Sequence, residues 1–95
     1  MIKSFKSKDT QSIYAGKTVN KWHNFRKQIE KRLQILDSAS CIDDLKFLPS
    51  NHFEALKGNR KGQFSIRVNL QWRICFHWID NDAYDVEVVD SATAV

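Results

Sequence analysis

The chain has 95 residues, of which 42% are hydrophobic and 12% aromatic, including three Trp and six Phe, and its net charge is +4. A chain of this length is expected to fold as one domain, residues 1–95, that buries roughly 60 to 65% of its unfolded surface, and its apolar content excludes disorder. No apolar run nears the length of a membrane span and no secretory leader opens the chain, so neither a membrane protein nor a secreted one is expected, and the reading is cytoplasmic.

Cys41 and Cys75 sit in helical and strand-like patterns, which suits buried, reduced thiols. Charge is laid down in blocks. Residues 1–33 carry nine Lys/Arg against two acids, 34–56 one against four, 57–78 five against none, and 79–95 none against five. Two basic blocks that converge on one face would attract a polyanion such as nucleic acid; solvated lysines on helix exteriors are the plainer alternative for the first.

Ile2 and Phe5 can anchor a short opening strand over residues 1–5, and residues 9–14 suit a short helical turn that Gly16 ends. Val19, Trp22, Phe25, Ile29, Leu33 and Leu36 then recur at spacings of three and four, which predicts a helix over 19–37 with a continuous apolar stripe. Its outer surface carries Lys27 and Lys31 one turn apart, a repulsion of roughly a few tenths of a kcal/mol that either Glu30 or a ligand phosphate can relieve. Ser40 followed three residues later by Asp43 suggests a capping box for a second short helix ending before Pro49. The two helices would form an antiparallel pair covering one face of a sheet.

From Gln63 the period changes to two. Phe64, Ile66 and Val68, then Trp72, Ile74, Phe76 and Trp78, then Tyr84, Val86 and Val88 alternate with polar or small residues, which predicts a three-stranded meander. A one-residue slip would send every apolar side chain to solvent. A three-residue loop at Asn69, Leu70 and Gln71 keeps the faces apart, pairing Ile66 with Ile74 and Phe64 with Phe76. The same logic puts a three-residue loop at Asp80, Asn81 and Asp82, pairing Trp78 with Tyr84, Phe76 with Val86 and Ile74 with Val88. The fold class is α+β, two N-terminal helices packed on a curved, mainly antiparallel sheet.

This register sets Arg67 directly across from Arg73 on the polar face, and like charges so placed are destabilising. An anion is called for: either Glu87, diagonal to Arg73, or a bound phosphate. Gly58, Asn59 and Gly62 form a turn that holds Lys57, Arg60 and Lys61 beside the same sheet. The histidines lack zinc spacing and no glycine pattern matches a phosphate loop, so neither metal nor cofactor is expected. Cations on a sheet face can stabilise a pentacoordinate phosphate in RNA cleavage by the RNA's own 2′-hydroxyl. His52, Glu54 and Asp90 are the nearest groups to move its protons.

The run from Leu56 to Phe76, LKGNRKGQFSIRVNLQWRICF, with the following HW and the later VEVVD, resembles the HigB group of the RelE/ParE toxin superfamily, the plasmid-maintenance killer proteins. The resemblance extends from MIKSF almost to Asp90. It implies a ribosome-dependent mRNA endonuclease acting in the A site, neutralised by a helix-turn-helix antitoxin through which alone it meets operator DNA. It also implies RNA-contacting or phosphate-stabilising roles for Lys57, Arg67 and Arg73 and an acidic active-site position at Asp90; the basic turn and helix face add Arg60, Lys61, Lys27 and Lys31 as candidate RNA contacts. Two departures stand out. Members commonly follow this aspartate with Tyr-His, where this chain has Ser91 and Ala92, and some carry a histidine where it has Glu54, with His52 two residues earlier. An attenuated nuclease, an inactive antitoxin-binding or operon-regulating homologue, and a gyrase-inhibiting relative are the readings; the basic face favours RNA over gyrase.

Overall fold

The computed structural model describes residues 1–93, so Ala94 and Val95, at the end of the altered tail, lie outside the described residues. Helix α1 (Lys8–Tyr14) starts at Ser7, whose Oγ accepts from the Thr10 N–H at 3.1 Å. Thr10 is fully buried and its own hydroxyl oxygen accepts from the Val88 N–H at 3.0 Å, so the first turn of α1 is tied to the sheet.

The predicted 19–37 helix is two helices in series, a 3₁₀ segment Asn20–Phe25 and then α2 (Arg26–Ser38). Its own spacing is compatible with both arrangements. Val19, Trp22 and Phe25 are three apart, which a 3₁₀ turn stacks on one line, whereas Phe25, Ile29 and Leu33 are four apart, as an α-helix requires. Trp22 is buried edge-on against Trp72, with ring centroids 6.0 Å apart.

Helix α3 (Ile42–Lys46) is only five residues long and begins one residue later than the sequence suggests. Asp44, not Asp43, closes the cap, its carboxylate accepting from the N–H groups of Ser40 at 2.9 Å and Cys41 at 3.4 Å. Cys41 is therefore an exposed cap residue and not a buried thiol, while Cys75 is buried as expected. The expected pairing of the long helix with this one is also replaced. Helix α2 packs with α1, and both lie on the last strand, while α3 packs on the Pro49–Asn51 turn.

The sheet runs β1 (Glu54–Ala55), β2 (Phe64–Arg67), β3 (Trp72–Ile79), β4 (Asp82–Asp90) in that spatial order, all neighbours antiparallel. Between β2 and β3 the predicted register holds, with Phe64 opposite Phe76, Ile66 opposite Ile74 and Arg67 opposite Arg73. Between β3 and β4 it holds only partly. Ile74 faces Val88 as expected, but Trp78 faces Ala83 and His77 faces Tyr84, with an irregularity between Cys75 and His77.

Two features produce this and offset each other. The turn has two residues, Asp80 and Asn81, both with positive φ (50° and 65°), as the tight primed hairpin turns require, and Asp and Asn tolerate that region better than most residues. Asp85, at φ 53°, then adds one residue to β4 as a bulge, restoring the phase that puts Val86 and Val88 in the core.

The opening segment is not a full strand but makes two parallel bridges to β4, Ile2 with Ala83 and Phe5 with Val86. Its Ser4 hydroxyl accepts from the N–H of the bulged Asp85 at 2.9 Å. Ile13, Trp22, Ile29, Leu33 and Leu36 meet Ile66, Ile74, Phe76, Val86 and Val88 in one core between helices and sheet. A side chain such as Leu36 contributes about 1.5–3 kcal/mol through this burial. No helix among the described residues is long and apolar enough to cross a membrane.

The Asp44 carboxyl is held below its ordinary value by the N–H of Ser40 first and that of Cys41 second. A carboxyl depressed in the folded state stabilises the protein above its unfolded value, and the contribution vanishes as pH falls through the folded one. Asp44→Asn should lower the thermal midpoint at neutral pH, and the gap from the unmodified chain should close as pH is taken below about 3.9, the ordinary aspartate value.

Candidate active site

The sheet face away from the helices is built by alternate residues of the strands: Glu54 of β1, Ser65 and Arg67 of β2, Arg73 and Cys75 of β3, Glu87 and Val89 of β4. Arg67 and Arg73 meet directly on this face, and neighbouring neutral acceptors take their hydrogen bonds. Arg73 Nε donates to Ser65 Oγ at 2.8 Å and its Nη2 to the His52 carbonyl at 2.6 Å and the Ser65 carbonyl at 3.4 Å. Arg67 Nε donates to the Asn69 carbonyl at 3.3 Å, and its Nη1 lies 3.4 Å from His52 Nε2. Arginine only donates, so this ring nitrogen is the acceptor.

Glu87 is not the counter-ion of Arg73. It faces Cys75, one row along the sheet, and its Oε1 accepts from Arg60 Nη1 at 2.7 Å. Of the two anions the sequence offers Arg73, the internal one is thereby engaged elsewhere. Arg73 is 9% exposed, and burial pulls its pKa down, with the charge of Glu54 acting in the opposite direction. Burial also raises the Cys75 thiol, so it stays protonated beside the cations. The hydrogen bonds of this buried cation go to a hydroxyl and two carbonyls and not to a carboxylate, so among its direct partners no charge neutralises it, and Glu54 acts on it only through space.

His52 is where the two arginines converge, at φ 43° and ψ 52°, in the left-handed region that non-glycine residues seldom enter. Its neighbours hold it there. Asn51 is fully buried, donating from Nδ2 to the Leu45 carbonyl at 3.1 Å and accepting from Arg32 Nη1 at 2.8 Å, and Phe53 stacks on Phe64 at 5.4 Å. Sequence reasoning missed Asn51 and Ser65. Ser65 was legible in principle, since the predicted register puts it beside Arg73 on the polar face; a buried Asn after a proline turn carries no such signal.

The remaining candidates divide. Lys57 and Lys61 are exposed on the segment joining β1 to β2, with Arg60 turned inward to Glu87. Lys27 and Lys31 are exposed on α2, and Glu30 pairs with Arg26 at 2.6 Å rather than with them. The α2 residues that touch the site's loops are their neighbours, Gln28 at Asn69 and Arg32 at Asn51.

Asp90 is not brought to Arg73. It pairs with Trp72, so its side chain leaves the opposite face of the sheet, where it accepts from the Ala92 N–H at 2.9 Å and from Gln71 Nε2 at 3.5 Å. Ser91 seals the tail to the 69–71 loop, donating from its N–H to the Gln71 carbonyl at 2.6 Å and from Oγ to the Leu70 carbonyl at 3.2 Å. No group of three or more potential metal ligands occurs among the described residues.

The fold is a small α+β domain whose sheet carries paired arginines and a histidine on the face away from the helices. Residues 3–91 match the HigB-like toxins, the RelE-like toxins of the type II toxin-antitoxin system HigB, and the chain belongs to that family. It is 37% identical over 91 residues to Endoribonuclease HigB of Proteus vulgaris, covering 95% of this chain and 98% of that one. With Toxin HigB-1 of Vibrio cholerae it shares 51% identity over 53 residues, so the chain spans 56% of that relative's length. YafQ from Escherichia coli superposes with a TM-score of 0.64 at 14% identity over 97% of this chain and 96% of that one. A chain of the YoeB-YefM complex from Staphylococcus aureus gives 0.58 at 20% identity, over 94% and 92%. At these identities the structural likenesses speak for the fold.

Asn51→Ala would remove the Leu45 carbonyl's side-chain donor and one of the two acceptors of Arg32 Nη1, which keeps Ser50 Oγ at 3.2 Å. It should lower the unfolding free energy by about 1–3 kcal/mol in a urea titration.

Proposed function

We propose that this chain is an endoribonuclease toxin that cleaves mRNA on the ribosome, in the A site, and does so slowly. The observation that carries the reading is Arg67 facing Arg73 on the sheet face away from the helices, both reaching His52, with Glu87 engaged elsewhere. In the reaction the 2′-hydroxyl of the RNA attacks the adjacent phosphorus. His52 Nε2 takes the hydroxyl proton once RNA displaces the Arg67 N–H, and Arg67, Arg73 and Lys57 stabilise the charge that builds on the non-bridging oxygens. The 5′ oxygen leaves, giving a cyclic phosphate and a free 5′ hydroxyl. Neither Ser91 nor Ala92 can protonate that oxygen, so its proton comes from Lys57 or water. Lack of a positioned acid lowers the rate by roughly 100- to 10,000-fold.

The partner that restrains the toxin is a helix-turn-helix antitoxin, and operator DNA is reached only through it. The named activity of the Proteus relative supports the ribonuclease reading, and the YoeB-YefM toxin-antitoxin complex supports an antitoxin partner. Action on translating ribosomes places the protein in the cytoplasm. A second reading, an inactive homologue that binds antitoxin and regulates its operon, draws support from Ser91, which is committed to the 69–71 loop by two hydrogen bonds.

Mapping of mRNA cleavage on translating ribosomes separates the two. The chain should cleave weakly, Arg73→Ala should lose a further 100-fold or more, and Ser91→Tyr with Ala92→His should gain. Thermal unfolding of Arg73→Ala checks that the loss is not one of folding. Absence of cleavage even with the tail restored would leave the regulatory reading.

A further inference from the structure

The segment from Leu56 to Gln63 lies over the polar sheet face and is fastened at both ends of its basic run. Leu56, 8% exposed, packs on Cys75 and Val89, and its N–H donates to the Gln63 carbonyl at 2.9 Å. Backbone bonds from Arg60 N–H to the Lys57 carbonyl at 3.2 Å and from Gln63 N–H to the Arg60 carbonyl at 3.0 Å close the turn. Gly58 and Gly62, at φ 62° and 94°, permit it to fold back. Arg60 Nη1 then reaches across to Glu87 Oε1 at 2.7 Å and Gln63 Oε1 at 3.3 Å, and the side chains of this ion pair are only 20% and 14% exposed.

Lys57 lies between the two anchors, one residue after buried Leu56 and three before Arg60, and is itself exposed. Among the described residues Arg60 is thus the cation of this segment already neutralised by a carboxylate, and a paired charge adds little to the field at a phosphate. We propose that Arg60 and Glu87 form a clasp that positions Lys57 over the cleavage site, and that Arg60 does not itself contact RNA. The inference rests on the RNA-cleaving reading above and assigns Arg60 and Glu87 as positioning residues for it.

The two roles for Arg60 predict opposite effects of removing Glu87. If Arg60 bound phosphate, Glu87→Ala would release a second cation and speed the reaction. If it is an anchor, Glu87→Ala leaves Lys57 loosely held, so cleavage falls while electrostatic attraction does not.

The experiment uses the full chain with programmed ribosomes, measuring binding across a salt series and single-turnover cleavage, together with amide hydrogen exchange of residues 57–62. Expected for Glu87→Ala are binding no weaker than the unmodified chain, cleavage slower on the order of 10-fold, and faster exchange of the 57–62 amides. Arg60→Gln should slow cleavage similarly without changing the salt slope, whereas Lys57→Gln should make the slope shallower by about 0.7, one phosphate contact. The Arg60→Gln/Glu87→Ala double variant should be no slower than either single one.

A slope made shallower by Arg60→Gln, cleavage by Glu87→Ala as fast as or faster than the unmodified chain, or unchanged exchange would each overturn the clasp. If the unmodified chain does not cleave and Lys57→Gln and Arg73→Ala bind as it does, the nuclease reading is what fails. The exchange arm then still decides whether the pair holds the segment.

Discussion

Two guanidiniums set opposite each other on neighbouring strands are the constraint around which the functional face is arranged. The β2–β3 register fixes Arg67 against Arg73, and that register cannot slip without turning Phe64, Ile66, Ile74 and Phe76 out of the core. The repulsion must therefore be met by what surrounds the pair. Ser65 and two carbonyls take the hydrogen bonds of Arg73, and Asn69 and the His52 ring take those of Arg67. None of these acceptors carries a charge, so the bonds hold the side chains in place without neutralising them, and Glu54 offsets the field of Arg73 only through space. Such a face is preorganised for an anion whose charge grows during reaction.

Everything that holds His52 then becomes part of the site. Its left-handed backbone is not favoured locally, and it persists because Asn51 is anchored to α3 and α2 on one side while Phe53 stacks on Phe64 on the other. The helical layer thereby reaches through the sheet's edge to the chemistry. A change at Arg32 or Leu45, remote from any phosphate, would be felt at the histidine.

The other end of the sheet is organised by two irregularities that offset each other. A two-residue turn at Asp80 and Asn81 advances β4 by one position, and the bulge at Asp85 returns it. Beyond the bulge, Glu87 falls opposite Cys75 and within reach of Arg60, Val89 falls opposite Arg73, and Asp90 falls on the far face with Trp72. Without the bulge the parity of β4 would invert: Glu87 and Val89 would lie on the core side and Asp90 with Arg73. The Ser4 hydroxyl that takes the bulge's N–H makes the chain's opening segment part of that decision.

The sequence by itself was enough for the α+β class, the apolar stripe from Val19 to Leu36, the three long strands, the Arg67 and Arg73 juxtaposition and the family, because periodicity and local loop length carry those features. The break into a 3₁₀ segment and α2 at Phe25 was not legible, since spacings of three and four both fit one α-helix. Only the tertiary structure decided which acid serves which base. Glu87 was diagonal to Arg73 by register, yet Arg60, brought over the face by a folded-back turn, is the cation that reaches it. His52 joins the arginines and Asp90 departs from them for the same reason. Long-range contacts, such as Asn51 with Arg32 and Ser4 with Asp85, set the direction in which each side chain leaves the backbone, and no periodicity within a single segment encodes them.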